Sequence, residues 1–215
     1  LGSTGIIETA NSVNFTLNSF NNKLWRIYYS NVYNSTDGQN WTLVGTLPEA
    51  LVMHESVVFN NKLWVFSGTS TDAVYSSTNG TTWSLASRFP SENGVTTKLY
   101  DGSATVYDGK IWIIGGNLNS GEAFYSTNGI TWSTQVNALP CRQGPTLGGN
   151  SAEAFNGKIW SIGGYYHEST PDEKGQIFAY PPLIDAPCYC QSSGGGTSGT
   201  SGGSSSGGTS GGTSG

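Results

Sequence analysis

The tripeptide Lys-Leu-Trp or Lys-Ile-Trp occurs four times, and this recurrence limits the chain to a repeat architecture. Its tryptophans are spaced 39, 48 and 48 residues apart, at Trp25, Trp64, Trp112 and Trp160. Each tripeptide follows a two-residue turn, and before the turn comes an apolar segment that ends in Phe or Tyr. The turns read Asn-Asn, Asp-Gly or Asn-Gly, residues that favour two-residue hairpins. We therefore expect each copy to begin with a β-hairpin.

A second pattern, Ser-Thr-Asp/Asn-Gly followed by a tryptophan, recurs further along three copies. Its tryptophans are Trp41, Trp83 and Trp132. The pattern is preceded by Val-Tyr in the first two copies, and the third copy reads Phe124-Tyr125-Ser-Thr-Asn-Gly. The Asp-Gly or Asn-Gly turn predicts a second hairpin. Two hairpins per copy make four strands, the content of one propeller blade.

The combined pattern resembles the kelch repeat over about residues 12–180. Gly115-Gly116 and Gly163-Gly164 each follow an apolar strand, as in kelch blades, and the Ser-Thr-Asp/Asn-Gly-x-x-Trp segment is similar to the variant found in galactose-oxidase-like central domains. The resemblance implies an all-β, kelch-like β-propeller with about four four-stranded blades in residues 1–190. Two forms stay open: a small ring completed by residues 3–10, or part of a larger propeller.

Composition separates a folded part from a tail and indicates a compartment. Residues 191–215 are almost entirely Gly, Ser and Thr, which predicts a low-complexity linker or stalk. The net charge of −5 without a basic run argues against nucleic-acid binding, and no apolar run is long enough to span a membrane. The chain begins at Leu1 without a signal peptide, so we interpret it as a mature form or a piece of a longer precursor. The abundance of Asn, Ser, Thr and Gly favours an extracellular or cell-surface protein.

No catalytic, cofactor or metal site is predicted. The copper site implied by a galactose-oxidase likeness needs two His ligands, and the two present, His54 and His167, are not in ligand spacing with each other or with a Cys. A sialidase-like arginine cluster is not indicated, because the arginines lie at unlike places in the repeat. They are Arg26, Arg88 and Arg142. Nothing singles out a catalytic pair among the carboxylates Glu49, Glu55, Glu92 and Glu153.

Three cysteines and four sequons suit an extracellular protein. We expect a disulfide from Cys141 to Cys188 or Cys190, with a Cys-x-Cys metal or redox motif as the alternative. Asn-x-Ser/Thr sequons predict N-glycosylation at Asn14, Asn34, Asn79 and Asn40, of which Asn40, beside Trp41, is the weakest candidate.

Together these features predict an extracellular, glycosylated propeller that acts as a non-catalytic binding or structural module. Its expected partners are a protein or glycan at the cell surface, N-linked glycans and further copies of itself, as in a surface filament. The alternative is the non-catalytic propeller portion of a carbohydrate-active or galactose-oxidase-like enzyme.

Overall fold

Antiparallel strands joined by short turns make up the regular structure of the chain. The computed structural model describes residues 15–66, 68–69, 71–92, 95–96, 102–115, 123–135, 147–166 and 177–180, and no helix occurs within these ranges. The strands are β1 (Phe15–Phe20), β2 (Lys23–Ser35), β3 (Thr42–Leu51), β4 (Glu55–Phe59), β5 (Lys62–Phe66), β6 (Ala73–Ser77), β7 (Ser84–Arg88), β8 (Ser91–Glu92), β9 (Val95–Thr96), β10 (Gly102–Tyr107), β11 (Lys110–Gly115), β12 (Ala123–Ser126), β13 (Ser133–Gln135), β14 (Leu147–Phe155), β15 (Lys158–Tyr166) and β16 (Ile177–Tyr180).

The strands form four main sheets, each built from one copy of the repeat. The first sheet has the order β1-β2-β3, the second β4-β5-β6-β7, the third β10-β11-β12-β13 and the fourth β14-β15-β16, while β8 and β9 form a separate two-stranded ribbon. All pairs are antiparallel between strands that are consecutive in sequence. Each sheet is therefore an up-and-down meander, the topology of a propeller blade.

Strand β2 folds back on itself, which gives the first sheet the strand content of the second. The guanidinium carbon of Arg26 lies 5.9 Å from the centre of the Tyr33 ring. In a straight strand these two residues would be about 23 Å apart, beyond the reach of their side chains. Tyr29, between them, has a positive φ of 51°, and the register with β3 shifts next to it. The chain therefore reverses near Tyr29, and the two halves of β2 correspond to β5 and β6.

The predicted first hairpin of each copy is confirmed. Both turn residues adopt positive φ angles, 50° at Asn21 and 57° at Asn22 in the first copy, and 49° at Asp108 and 67° at Gly109 in the third. The same holds for the turns Asn60-Asn61 and Asn156-Gly157. This conformation matches the twist of the flanking strands, which is why Asn, Asp and Gly occupy these positions.

The first strands of the four sheets lie side by side, as the inner strands of a propeller do. β1 packs beside β4, β4 beside β10, and β10 beside β14. Polar bonds join neighbouring inner strands: Asn18 Nδ2 donates to Ser56 Oγ at 2.5 Å, and the Ala152 amide donates to Ser103 Oγ at 2.8 Å. The predicted all-β propeller of about four blades is thus confirmed.

The hydrophobic core lies between successive sheets. One cluster joins Trp25 and Ile27 of the first sheet to Leu63 and Val65 of the second, and similar clusters lie at the next two junctions. Burying each such side chain contributes about 1.5–3 kcal/mol. The free energy of folding therefore depends mainly on contacts between sheets.

The third sheet has a phenylalanine at the strand position that Tyr75 occupies in the second sheet. Val65 pairs with Tyr75 in the second sheet, and Ile113 pairs with Phe124 in the third. Phe124, and not Tyr125, is therefore the counterpart of Tyr75, because Tyr125 lies one residue nearer to its turn glycine than Tyr75 does. Tyr125 consequently faces the other way and packs on Trp112, with ring centres 5.0 Å apart.

Several expectations concern residues outside the described ranges. These are the 191–215 tail, Asn14, His167, Arg142 and the three cysteines Cys141, Cys188 and Cys190. Within the described ranges there is no helix that is long and apolar enough to cross a membrane.

Candidate functional site

The Ser-Thr-Asp/Asn-Gly turn is held by hydrogen bonds to its own backbone. In the second sheet the Asn79 side-chain oxygen accepts from the amides of Thr81 and Thr82 at 2.9 Å each, and Ser77 Oγ accepts from the Gly80 amide at 2.7 Å. The first and third sheets repeat these bonds around Asp37 and Asn128. Asp and Asn are interchangeable here because each supplies the accepting oxygen.

Asp37 is the one charged member of this set of turns. Hydrogen bonds from the amide and then the side chain of Asn40, from the Gln39 amide and from the Ser35 hydroxyl hold the pKa of the Asp37 carboxyl well below its usual range. These donors stabilise the carboxylate, so the first turn carries a fixed negative charge at neutral pH.

The turn glycines of the second and third sheets each receive the ring of a tryptophan from the preceding sheet. A Cβ added to Gly80 would lie 2.2 Å from a ring carbon of Trp25, and one added to Gly129 would lie 2.3 Å from the same atom of Trp64. We call this contact the Trp–Gly joint. It needs glycine for two reasons: the indole occupies the side-chain space, and the φ angles of +76° and +72° disfavour other residues.

Both tryptophan series are fixed by their indole N–H groups. The Trp25 indole donates to the Phe20 carbonyl at 2.8 Å, and Trp64 donates to Phe59 at 2.9 Å. The second-series Trp83 donates to the Gly80 carbonyl at 3.1 Å. The turn glycine is thus held by its own sheet while it receives the ring of its neighbour, which positions two sheets relative to each other.

The junction between the third and fourth sheets replaces the glycine seat with an aromatic contact. The Trp112 ring lies 5.1 Å from that of Tyr180, centre to centre, and Tyr180 belongs to β16 of the fourth sheet. This explains how the fourth copy joins the third although it lacks the second tryptophan.

The Trp–Gly joint predicts a large difference between two glycine variants. Gly80→Ala should lower the free energy of unfolding by about 2–5 kcal/mol, from the positive φ and the overlap with the Trp25 ring. Gly109→Ala is the matched control, since its φ is +67° and nothing lies within 4 Å of an added Cβ. It should cost about 1–2 kcal/mol. Chemical denaturation measures both, and equal losses would contradict the joint.

A cluster of ionisable side chains lies between the first and second sheets. The Tyr75 hydroxyl donates to Glu49 Oε1 at 2.5 Å, and Arg88 forms an ion pair with Asp72 nearby. Burial, the hydrogen bond to Glu49 and the charge of Glu49 raise the pKa of Tyr75 to about 12. The cluster braces β3 of the first sheet against β6 of the second. The sequence did not predict the Asp72–Arg88 pair. The strand register accounts for it, because Arg88 on β7 lies opposite Ala73 on β6, the residue that follows Asp72.

His54 is buried between the inner strands of the first two sheets. Its Nε2 lies 3.4 Å from Thr16 Oγ1, and its Nδ1 has no hydrogen-bond partner in the structure. Burial lowers the pKa of His54 to about 4, against smaller opposing effects of the Leu51 and Ile27 carbonyls. His54 is therefore a neutral, buried packing residue at neutral pH.

The His54 pKa predicts a loss of stability in mild acid. The unfolded chain takes up a proton near pH 6.5 and the folded protein only near pH 4. Above pH 6.5 His54 is neutral in both states and does not lower the free energy of unfolding. As the pH drops from 6.5 to 4, the free energy of unfolding falls by up to about 3 kcal/mol, because only the unfolded chain gains the proton. His54→Gln, which does not titrate, should show a flatter stability profile between these values in denaturation series. Parallel profiles for the two proteins would contradict the assignment.

The remaining candidate residues within the described ranges lie apart from one another. Arg26 is buried with its guanidinium 4.8 Å from the Phe15 ring centre, in a different sheet from Arg88. Glu55 begins β4, Glu92 lies on β8 and Glu153 is exposed on β14. Among the described residues, no three His, Cys, Asp or Glu side chains come close enough to hold a metal ion.

The described sequons occupy three different environments. Asn79 is exposed in its turn, whereas Asn34 is half-buried on β2, paired with Thr42 of β3. Asn40 is exposed, but its side-chain nitrogen donates to Asp37 Oδ2 at 2.7 Å. The atom that would carry a glycan is thus held against a carboxylate in Asn40, whereas exposed Asn79 bonds to its turn through the side-chain oxygen, so among these three Asn79 is the most accessible.

Comparison with known proteins agrees with the fold. Neither a protein-family model nor a curated protein matches the sequence. Among 174 matching chains of solved structures is YjhT, a kelch-like propeller, with a TM-score of 0.50 and 16% sequence identity. The match covers 69% of this chain and 52% of that one, so the chain spans about half the length of YjhT. At this identity the likeness concerns the fold alone, and the four sheets have the fold of part of a β-propeller.

Proposed function

We propose that the chain is a non-catalytic binding or structural module of the kelch type, displayed outside the cell and carrying N-linked glycan. The observation that carries this proposal is the use of its polar groups. Glu49 is bonded to Tyr75, Asp72 to Arg88, and Asp37 to its own turn. Carboxylates that are already hydrogen-bonded or ion-paired within the protein are suited to holding a rigid surface. They are unsuited to acid–base catalysis, which needs a free group in reach of a substrate.

The position of Asn79 supports the glycosylated, extracellular part of the proposal. The side-chain oxygen of Asn79 bonds to the turn, and the residue is exposed. A glycan attached to its nitrogen would project from a turn and leave the sheets intact. The richness in Asn, Ser, Thr and Gly agrees with this location. The expected partner is a protein or a glycan at the cell surface.

Secretion from a eukaryotic host tests glycosylation with two complementary variants. Asn79→Asp removes the acceptor but keeps the turn, since Asp37 plays this role in the first sheet. Thr81→Ala removes the sequon and keeps Asn79. Peptide mapping should find glycan at Asn79 in the wild type and none in either variant, with stability within about 0.5 kcal/mol of the wild type. A secreted wild type without glycan at Asn79 would refute this part of the proposal.

The non-catalytic role is tested with a panel of defined oligosaccharides and extracellular proteins. Retention of one of these on the immobilised chain, with every compound recovered chemically unchanged in the presence and absence of copper, is the expected result. Release of a hydrolysed or oxidised sugar would overturn the proposal. Glu49→Gln serves as the control, because it removes one carboxylate while keeping a side-chain acceptor for Tyr75.

A further inference from the structure

The outer face of the first sheet is built like a junction between sheets. It carries Leu24, Tyr33, Gly38 and Trp41 at the repeat positions that the second sheet fills with Leu63, Tyr75, Gly80 and Trp83. In the second sheet these residues are buried against the first sheet. In the first sheet Leu24, Tyr33 and Trp41 are only half-buried, and Leu17 on β1 is 54% exposed. The pattern of a junction is present on this face, and within the part of the chain that the structure describes no further sheet packs against it.

The same face contains an empty seat for a tryptophan. Gly38 has a φ of +74°, close to the +76° of Gly80, and Ser35 Oγ accepts from its amide at 2.8 Å, as Ser77 does for Gly80. Among the described residues, an added Cβ at Gly38 would meet one atom within 4 Å, Leu24 Cδ1 at 3.5 Å. The seat is therefore formed but holds no indole.

The far face of the fourth sheet offers the missing ring. Trp160 occupies the repeat position of Trp25, and its indole donates to the Phe155 carbonyl at 3.0 Å, the same bond that fixes Trp25. The Trp160 ring is half-buried. Ile162 is 50% exposed, whereas its counterpart Ile27 is fully buried, and Phe155 is 70% exposed. This face has the residues of a junction and, in this structure, its apolar side chains are open.

We propose that the fourth sheet of one copy docks on the first sheet of a second copy, with Trp160 seated on Gly38. Among the described residues, each copy has an empty seat at Gly38 in its first sheet and, at the other end of its row of sheets, a ring at Trp160 that no glycine receives. Two copies can satisfy both ends at once in a symmetric ring of eight sheets, within the four to eight blades of known propellers. The new contact continues the joint already present between the first three sheets, and it does not depend on glycosylation or location.

Charge on the two faces agrees with this pairing. Glu153, exposed on the fourth sheet, is the counterpart of Asn18, which bonds to Ser56 across the first junction. The counterpart of Ser56 is Leu17, and Leu17 is the cross-strand partner of Arg26. Docking in the same geometry brings the Glu153 carboxylate close to the Arg26 guanidinium of the second copy. Glu153→Lys should therefore weaken association, and more strongly at low salt.

Sedimentation and light scattering across a dilution series test the association, on protein produced in a bacterial host that attaches no N-linked glycan at any of the four sequons. The expected species has twice the 22.6 kDa mass of the chain. Ile162→Asp should raise the dissociation constant about tenfold or more, because it places a charge in the contact. Ile130→Asp is the matched control: Ile130 is 54% exposed, lies in a turn away from both open faces, and should leave association unchanged.

A second pair of variants tests the other side of the contact. Gly38→Asn should fill the seat and dissociate the oligomer, while Gly109→Asn, at a φ of +67° with nothing within 4 Å of an added Cβ, should leave it intact. Asn tolerates positive φ, so both variants should fold. An oligomer lost with Ile162→Asp and Gly38→Asn but kept with both controls supports the proposal. A monomer at all concentrations, or an oligomer whose loss does not follow this pattern, overturns it.

Discussion

The contact between an indole ring and a glycine that lacks a Cβ determines how the sheets of this protein fit together. Trp25 and Trp64 each lie where the side chain of Gly80 or Gly129 would be. The position requires a glycine both because the indole fills the side-chain space and because the backbone φ is positive. The glycine and the tryptophan therefore depend on each other, and a substitution of either one disturbs the contact. Because the turn is fixed by its own Asp or Asn and the indole by a carbonyl of its own hairpin, the joint connects two rigid units.

The polar side chains follow from this packing. Once two sheets are brought together, groups between them lose water and must find partners in the protein. Asn18 bonds to Ser56, Tyr75 to Glu49, and the amide of Ala152 to Ser103. His54 meets the same constraint by remaining neutral, since its pKa falls to about 4. Much of the polar chemistry of the first two junctions thus supports the scaffold.

Much of the fold could be predicted from the sequence because its signals are local. The hairpins follow from turn residues that adopt positive φ, and the second series of tryptophans marks turns closed by Asp or Asn. The face on which a strand side chain lies is harder to predict, because it depends on the strand register: Phe124, and not Tyr125, takes the place of Tyr75, although both copies have a tyrosine shortly before the turn. Sequence similarity between copies does not carry the register with it.

The sequence by itself determined the repeat, the hairpins and the all-β class, because each depends on residues a few positions apart. Only the tertiary structure decided which glycine receives which tryptophan, that Glu49 bonds to Tyr75, and that the seat at Gly38 and the ring of Trp160 are both open. These are relations between different copies of the repeat, tens of residues apart in the chain. They arise from the way one sheet packs on the next, which no single copy encodes.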